Sequence, residues 1–357
     1  MQGEQARADA SRERIALFDN LKGVLIALVV FGHVMHPIHN DNPALSCAFD
    51  IIYLFHMPLF VLVSGLFAKG AWRDGRLNLN RVISFVVLGL AYQAALLAIN
   101  GVLLSHPGRM LLFTSAPWYL IAMSWWYLAT PALAHLGPRR GMALATALSL
   151  AWGCVDLSDG FLALSRTFAF LPCFAFGYYA RPQSIELLKQ RPALWLAVAA
   201  AGAIALARVL DAHAYDAFFP LVYGDNPYTD LALLDAVAPA ARPLVALAAG
   251  SLLKLLTLAV AAVFSLAVLK LVPRGASRLT ALGRRTLPVY VLHRLIRAWL
   301  TFHTSFYDIP LLLAPLPGFL AILALSAGIT ALTALKPLER PFTLLLKHSW
   351  IAPRGGC

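Results

Sequence analysis

From Phe18 onward the chain is a succession of apolar runs separated by short polar stretches. A helix that crosses a hydrocarbon core of about 30 Å needs about 20 mostly apolar residues. About ten segments approach that length: 18–36, 48–68, 82–104, 117–136, 141–157, 163–180, 193–209, 250–271, 286–304 and 312–334. The pattern predicts an all-α, polytopic membrane protein with a transmembrane unit over 18–334, a polar segment 1–17 before it and a tail 335–357 after it. Segments 141–157 and 193–209 are short, and 286–304 is interrupted by polar residues. Met1–Leu17 is polar and charged rather than built like a secretory signal, so the first apolar run is expected to remain as a span.

Composition agrees. The 357 residues are 60% hydrophobic and 13% charged, with a mean hydropathy of +0.72. An ordinary soluble domain has roughly 45–50% apolar and about 25% charged residues. A chain with so little polar surface is not a soluble enzyme, a disordered tail or a disulfide scaffold. Cys47, Cys154, Cys173 and Cys357 are scattered, with no spacing that suits a metal site or a disulfide framework, so no metal is expected.

The net charge of +12 would suit nucleic acid only if the basic residues formed one patch. Instead they recur between apolar runs, so no nucleic-acid partner is expected. Arg7, Arg12 and Arg14 precede the first run; Lys69, Arg73, Arg76 and Arg81 follow the second; Arg139 and Arg140 follow the fourth. Arg181, Lys189 and Arg191 follow the sixth, Lys270, Arg274, Arg278, Arg284 and Arg285 the eighth, and Lys336, Arg340, Lys347 and Arg354 the tenth. The alternate connections hold only Arg109, Arg208, Arg242 and Arg297. The positive-inside rule then puts both termini in the cytoplasm.

The longest outer connection, 208–249, mixes Asp211, Asp216, Asp225, Asp230 and Asp235 with Tyr215, Phe218, Phe219, Tyr223 and Tyr228. That composition suits either an interfacial cap with an aromatic belt or a sugar-like ligand. Its part Leu231–Ala249 could form a re-entrant helix. No internal repeat is visible, which argues against an inverted-repeat transporter.

Ionisable groups inside a span are costly and are functional candidates. In the first run Lys22 and His33 are eleven positions apart, which at 100° per residue places them on one helix face, about 16 Å apart along the axis. Asp19 can pair with Lys22 three residues on. Lys22 snorkelling to the inner interface and His33 capping the outer end are equally compatible with the spacing. In the second run Pro58 should kink the helix near His56, and Ser64-Gly65 permits close helix approach. His56 could equally be a hydrogen-bonding residue without chemistry. The His293-Arg294 pair is hard to place against lipid, so His293 should face the bundle. Trp118 and Tyr119 fall at the outer end of the fourth run. A near-neutral imidazole is a natural general base for a hydroxyl, and a basic inner rim suits a phosphorylated carrier. These residues allow acyl transfer from a nucleotide-bearing thioester to an alcohol without selecting it. A transporter or flippase of a glycolipid or small polar substrate remains the alternative.

Several segments, in order along nearly the whole chain, resemble the membrane acyltransferase family three, in its fucose 4-O-acetylase-like branch. They are Leu17-Phe18-Asp19-Asn20-Leu21-Lys22-Gly23 with Val30-Phe31-Gly32-His33; Phe55-His56-Met57-Pro58-Leu59-Phe60 with Ser64-Gly65; Pro117-Trp118-Tyr119-Leu120; Phe170 to Tyr178; and Gly283-Arg284-Arg285-Thr286-Leu287 with Tyr290-Val291-Leu292-His293. The resemblance implies about ten spans and transfer of an acyl group, usually acetyl from acetyl-CoA, to a hydroxyl of a glycan or glycolipid. It implies His33 as the catalytic histidine of a basic-residue-x10-His pattern begun by Lys22, where many members have arginine. It makes Lys69, Arg73, Arg76 and Arg81 contacts for CoA phosphates. Lys22, Asp19, His56, Ser64, His293, Trp118 and Tyr119 are then expected to support the acceptor or catalytic site. The expected location is the bacterial inner membrane, with acetyl-CoA as cosubstrate and no tightly bound cofactor. Direct transfer and a covalent acyl-histidine relay are both open.

Overall fold

The computed structural model describes residues 2–351, with side chains described over 16–351. Arg7, Arg12, Arg14, Arg354 and Cys357, named above, have side chains outside that range. Among the described residues the molecule is a helical bundle whose one sheet is a two-stranded hairpin. In chain order the helices are α1 (Gln2–Met35), α2 (Pro43–Tyr53) and α3 (His56–Leu66), then the hairpin β1 (Trp72–Arg73) and β2 (Arg76–Leu77). Next come α4 (Leu79–Ile99), α5 (Trp118–Trp152), α6 (Leu164–Ala169), α7 (Leu171–Tyr179), α8 (Pro182–Gln190) and α9 (Leu194–Leu210). The chain closes with α10 (Arg242–Leu271), α11 (Arg278–Gly283), α12 (Thr286–His303), α13 (Pro315–Thr333) and α14 (Lys336–Lys347).

Five stretches are long and apolar enough to cross a membrane: Ala16–Met35, Pro43–Leu66, Leu79–Ile99, Arg242–Leu271 and Pro315–Thr333. The pair α8 and α9, bent by 80°, makes a sixth if taken as one broken span. The other expected segments are helices too, but shorter or more polar. Segments 117–136 and 141–157 are the two halves of α5, divided at Gly137, whose φ of 71° lies outside helical space and which precedes Pro138. Segment 163–180 is the short pair α6 and α7. The second run is broken where Pro58 suggested: α2 stops at Tyr53 and α3 begins at His56.

Helix α1 runs through the middle, against α3, α11, α12 and α13. It is apolar all round from Val24 to Phe31, and a helix of that kind is stable only when surrounded. Leu25, Ile26, Val30 and Val34 are completely buried. Outer helices instead present leucines outward, as Leu244, Leu252 and Leu256 do on α10 and Leu316 and Leu320 on α13. Ser64-Gly65 is a close-packing site: a Cβ on Gly65 would overlap the Phe174 carbonyl, and one on Gly177 would overlap the Leu62 carbonyl. The facing glycines let α3 and α7 touch backbone to backbone.

Two expectations are corrected. Arg208 and Arg297 do not sit in outer connections. Arg208 is in α9, where its Nε pairs with Asp50 at 2.6 Å, and Arg297 is a buried residue of α12. The stretch between α9 and α10 holds three 3-10 turns (Phe219–Val222, Tyr228–Asp230 and Ala232–Ala236), and Leu231–Ala249 forms no re-entrant helix. Pro239 blocks an earlier start, and α10 begins at Arg242-Pro243, where a proline near the first turn costs no hydrogen bond. The tail after 335 opens with a helix, α14, tied to α4 by Ser84 and Arg81, whose side chains donate to the carbonyls of Leu345 and Leu346.

Candidate functional site

Helices α1 and α12 run in the same direction. The N-terminal end of α12 meets the middle of α1, where Gly283 abuts the Asp19 carbonyl and Arg284 Nε reaches Asp19 Oδ2 at 3.0 Å. One end of the bundle therefore holds Asp19 and Lys22, and the other holds His33, in the last turn of α1. At that second end lies a cavity of about 280 Å³. Its walls come from His33 and His36, from Tyr53 of α2 and His56 of α3, from Ser115 to Trp118, from Arg166 of α6, and from Tyr290, Arg294 and Arg297 of α12. Tyr223, from the stretch before α10, closes it.

The histidines have defined proton positions. His293 is completely buried beside the cavity, and its Nδ1 lies 2.7 Å from the Val289 carbonyl, which can only accept. Its proton is therefore on Nδ1, and its Nε2 carries a lone pair. His33 Nδ1 lies 2.8 Å from that Nε2, so His33 donates from Nδ1. The two rings are nearly parallel, with planes 12° apart. In the neutral ring this chain of donors leaves His33 Nε2 unprotonated. His56 repeats the first step, donating from Nδ1 to the Ile52 carbonyl at 2.8 Å. His33, half-buried on the cavity wall, can accept a proton and pass positive charge toward a hydrogen-bonded neighbour.

The arginines around the cavity differ in how they are satisfied. Arg166 pairs with Asp225 and lies over the Trp118 ring, 5.4 Å from its centroid. Arg294 donates from Nε to Ser115 Oγ at 3.2 Å, but its buried Nη1 has no partner. Arg297 Nε is also buried and unpartnered. A neighbouring cavity of about 490 Å³ shares Thr114, Ser115 and Arg294 with the first.

Of the residues singled out in the sequence, the structure brings His33, His56, His293 and Trp118 together. Lys22 and Asp19 do not line the cavity. They form their own cluster at the opposite end, with Lys22 Nζ 2.8 Å from Asp19. Tyr119 turns away and its hydroxyl hydrogen-bonds Ser64, joining α5 to α3. Lys69, Arg73, Arg76 and Arg81 lie at the Lys22 end, because Phe67, just before Lys69, packs on Phe18 and under Lys22. Lys69 donates to the Ala180 carbonyl at 2.7 Å; burial lowers its pKa, and the charge of Arg181 adds to the effect. Arg73 and Arg76 flank the exposed hairpin turn.

The sequence reading missed Tyr53, Arg166 and Arg297 as cavity residues, whereas Tyr223 belongs to the aromatic set of 208–249 already noted as suited to a sugar-like ligand. One signal was available for α12: Tyr290, His293, Arg294 and Arg297 are spaced by three and four, the repeat of a single helix face. Nothing local pointed to Arg166.

Comparisons with known proteins bear on the family of the chain. Nodulation protein NolL of Sinorhizobium fredii is 46% identical over 63 residues, which cover 17% of this chain and 17% of that protein. Nodulation protein NolL of Mesorhizobium japonicum is 47% identical over 57 residues, 15% of each. The aligned stretch thus spans a small part of either relative. No solved structure matches the chain. The family model for an acyltransferase domain matches residues 15–335, from the start of the apolar part of α1 to the end of α13. With its membrane-length apolar helices, this chain is an integral membrane protein of the acyltransferase-3 family.

Proposed function

We propose that the chain is a multipass O-acyltransferase that moves acetyl from acetyl-CoA to a hydroxyl of a glycan or glycolipid. In this reading residues 18–334 cross the bacterial cytoplasmic membrane ten times, with each half of α5, the α6–α7 pair and α12 counted as spans. Both termini then lie in the cytoplasm, so the Lys22 end is cytoplasmic and the cavity opens outward. The observation that carries the reading is the donor chain Val289–His293–His33, which leaves one imidazole nitrogen free as a base on a cavity wall.

Acetyl-CoA enters from the cytoplasmic end, its phosphates held by Lys69, Arg73, Arg76 and Arg81. The acceptor enters the outer cavity. Its hydroxyl oxygen attacks the thioester carbonyl carbon while His33 Nε2 takes the hydroxyl proton. The carbon–sulfur bond breaks, and the proton on His33 then passes to the departing thiolate. His293 fixes the His33 tautomer and shares the positive charge in between. His56 and Trp118 shape the acceptor side. Lys22, Asp19, Ser64 and Tyr119 hold the helices that carry the site.

The test is direct. The purified full chain in lipid nanodiscs is supplied with labelled acetyl-CoA and lipid-linked glycans, and ester formation is followed by mass spectrometry. The intact chain should produce acetylated product and His33→Ala should not. Near-normal turnover by His33→Ala, with the protein folded, removes His33 from the mechanism.

A further inference from the structure

The cavity is more positive than catalysis by His33 requires. Three guanidinium groups face it, and one carboxylate, Asp225, answers them through Arg166. Arg294 and Arg297 have no acidic partner among the described residues. Arg297 is only 8% exposed and leaves Nε without a hydrogen bond; Arg294 leaves Nη1 without one. A buried cation without a counter-charge is among the costliest arrangements in a protein. Two side by side on one helix, three residues apart, are retained where a ligand supplies the missing charge. A planar guanidinium fork matches an oxyanion of carboxylate or phosphate.

We infer that Arg294 and Arg297 form the receptor for an oxyanion on the acceptor, so that the substrate class is an acidic glycan, one that carries a carboxylate or phosphate near the hydroxyl to be acylated. This rests on the acyltransferase reading. The donor is also anionic, so its phosphates are the competing source. Position argues for the acceptor. The arginines follow His293 along α12, on the side of the histidine pair away from Asp19, Lys22 and the basic hairpin. Lys22 is eleven residues from His33, about 16 Å along α1. A donor whose phosphates rest at the hairpin brings its thioester to His33 from below and leaves the arginine pair to the partner arriving from above. The larger neighbouring cavity, which shares Arg294, gives room for further sugar units.

The experiment follows the rate at which diethyl pyrocarbonate modifies His33, read by peptide mass spectrometry on the purified full chain in nanodiscs. The probes are glucuronate, glucose 6-phosphate, neutral glucose and acetyl-CoA. Glucuronate and glucose 6-phosphate should protect His33 at millimolar concentration, and glucose should not. Arg297→Gln should weaken protection by the acidic sugars roughly tenfold or more, the scale of one lost charge-assisted hydrogen bond. Arg297→Lys should keep part of it. Arg297→Met should also raise the unfolding temperature, since it removes an uncompensated buried charge, whereas a merely structural arginine would lower it.

Equal protection by glucose, no protection by any acidic sugar, or a fall in unfolding temperature in Arg297→Met overturns the inference. So does a loss of acetyl-CoA affinity in Arg297→Gln as large as the loss for glucuronate, because the pair then serves the donor. If labelled acetyl-CoA is neither bound nor turned over while glucuronate still protects through Arg297, the acyltransferase reading fails and the anion site stands.

Discussion

Helix α1 carries two polar regions that look alike in the sequence and differ in the structure. Midway along it, Asp19 pairs with both Lys22 and Arg284. Beside it Asn20, completely buried, donates to the carbonyls of Pro273 and Gly275 and accepts from the hydroxyls of Ser277 and Thr280. Every polar group there has a partner, and the result is a joint that fixes α11 and the α10–α11 connection to α1. At its C-terminal end, the histidine chain ends in a free nitrogen and the two arginines keep unpartnered nitrogens. A polar cluster that satisfies itself holds a fold together. One that is ordered but incomplete awaits a ligand.

The comparison can be broken most sharply at His33. His33→Ala should lower acyl transfer by about 10²- to 10⁴-fold, the usual contribution of a general base, while the one hydrogen bond lost to His293 costs no more than about 1–3 kcal/mol of stability. Asn20→Ala should do the reverse. It leaves two hydroxyl protons without an acceptor and two carbonyls without a donor, and should cost on the order of 3 kcal/mol, seen as a lower unfolding temperature and folded yield, while the surviving folded protein keeps its turnover per molecule. His293→Phe should reduce turnover by about 10²-fold by freeing the His33 ring, in line with the cost of a misplaced reacting group. A larger drop in stability than in turnover would move His293 to the structural class. Gly65→Ala should destabilise by about 1–3 kcal/mol through overlap at the α3–α7 contact, measured by thermal unfolding. Lys22→Ala should cost less than about 1 kcal/mol, because the lysine is partly exposed and Asp19 keeps Arg284. If Lys22→Ala instead cuts turnover tenfold while stability holds, the inner cluster takes part in donor binding and the division between the two ends fails.

Much of the bundle was legible beforehand because hydrocarbon imposes a length on apolar runs. That constraint located a helix in each expected segment, and it located the break before His56, since Pro58 lacks the donor a continuous helix needs. The break at Gly137 falls between two runs that the sequence already separates, but the short α6–α7 pair was harder to see, since 163–180 reads as one apolar run and only backbone geometry divides it. His33, His56 and His293 stood out because an ionisable side chain in an apolar run is conspicuous. Arg297 was misread as a connection residue, since charge alone does not tell a helix interior from its edge.

The sequence by itself determined that this is a helical membrane protein, which family it resembles, and which imidazoles lie inside apolar runs. Those properties depend on local composition and spacing. Tertiary structure alone decided that His33 meets His293, across 260 residues, and which nitrogen is left free. It also decided that Asp225 answers Arg166 while Arg294 and Arg297 go unanswered. Pairing and burial are relations between distant segments, set by how helices pack, and no single stretch of chain contains them.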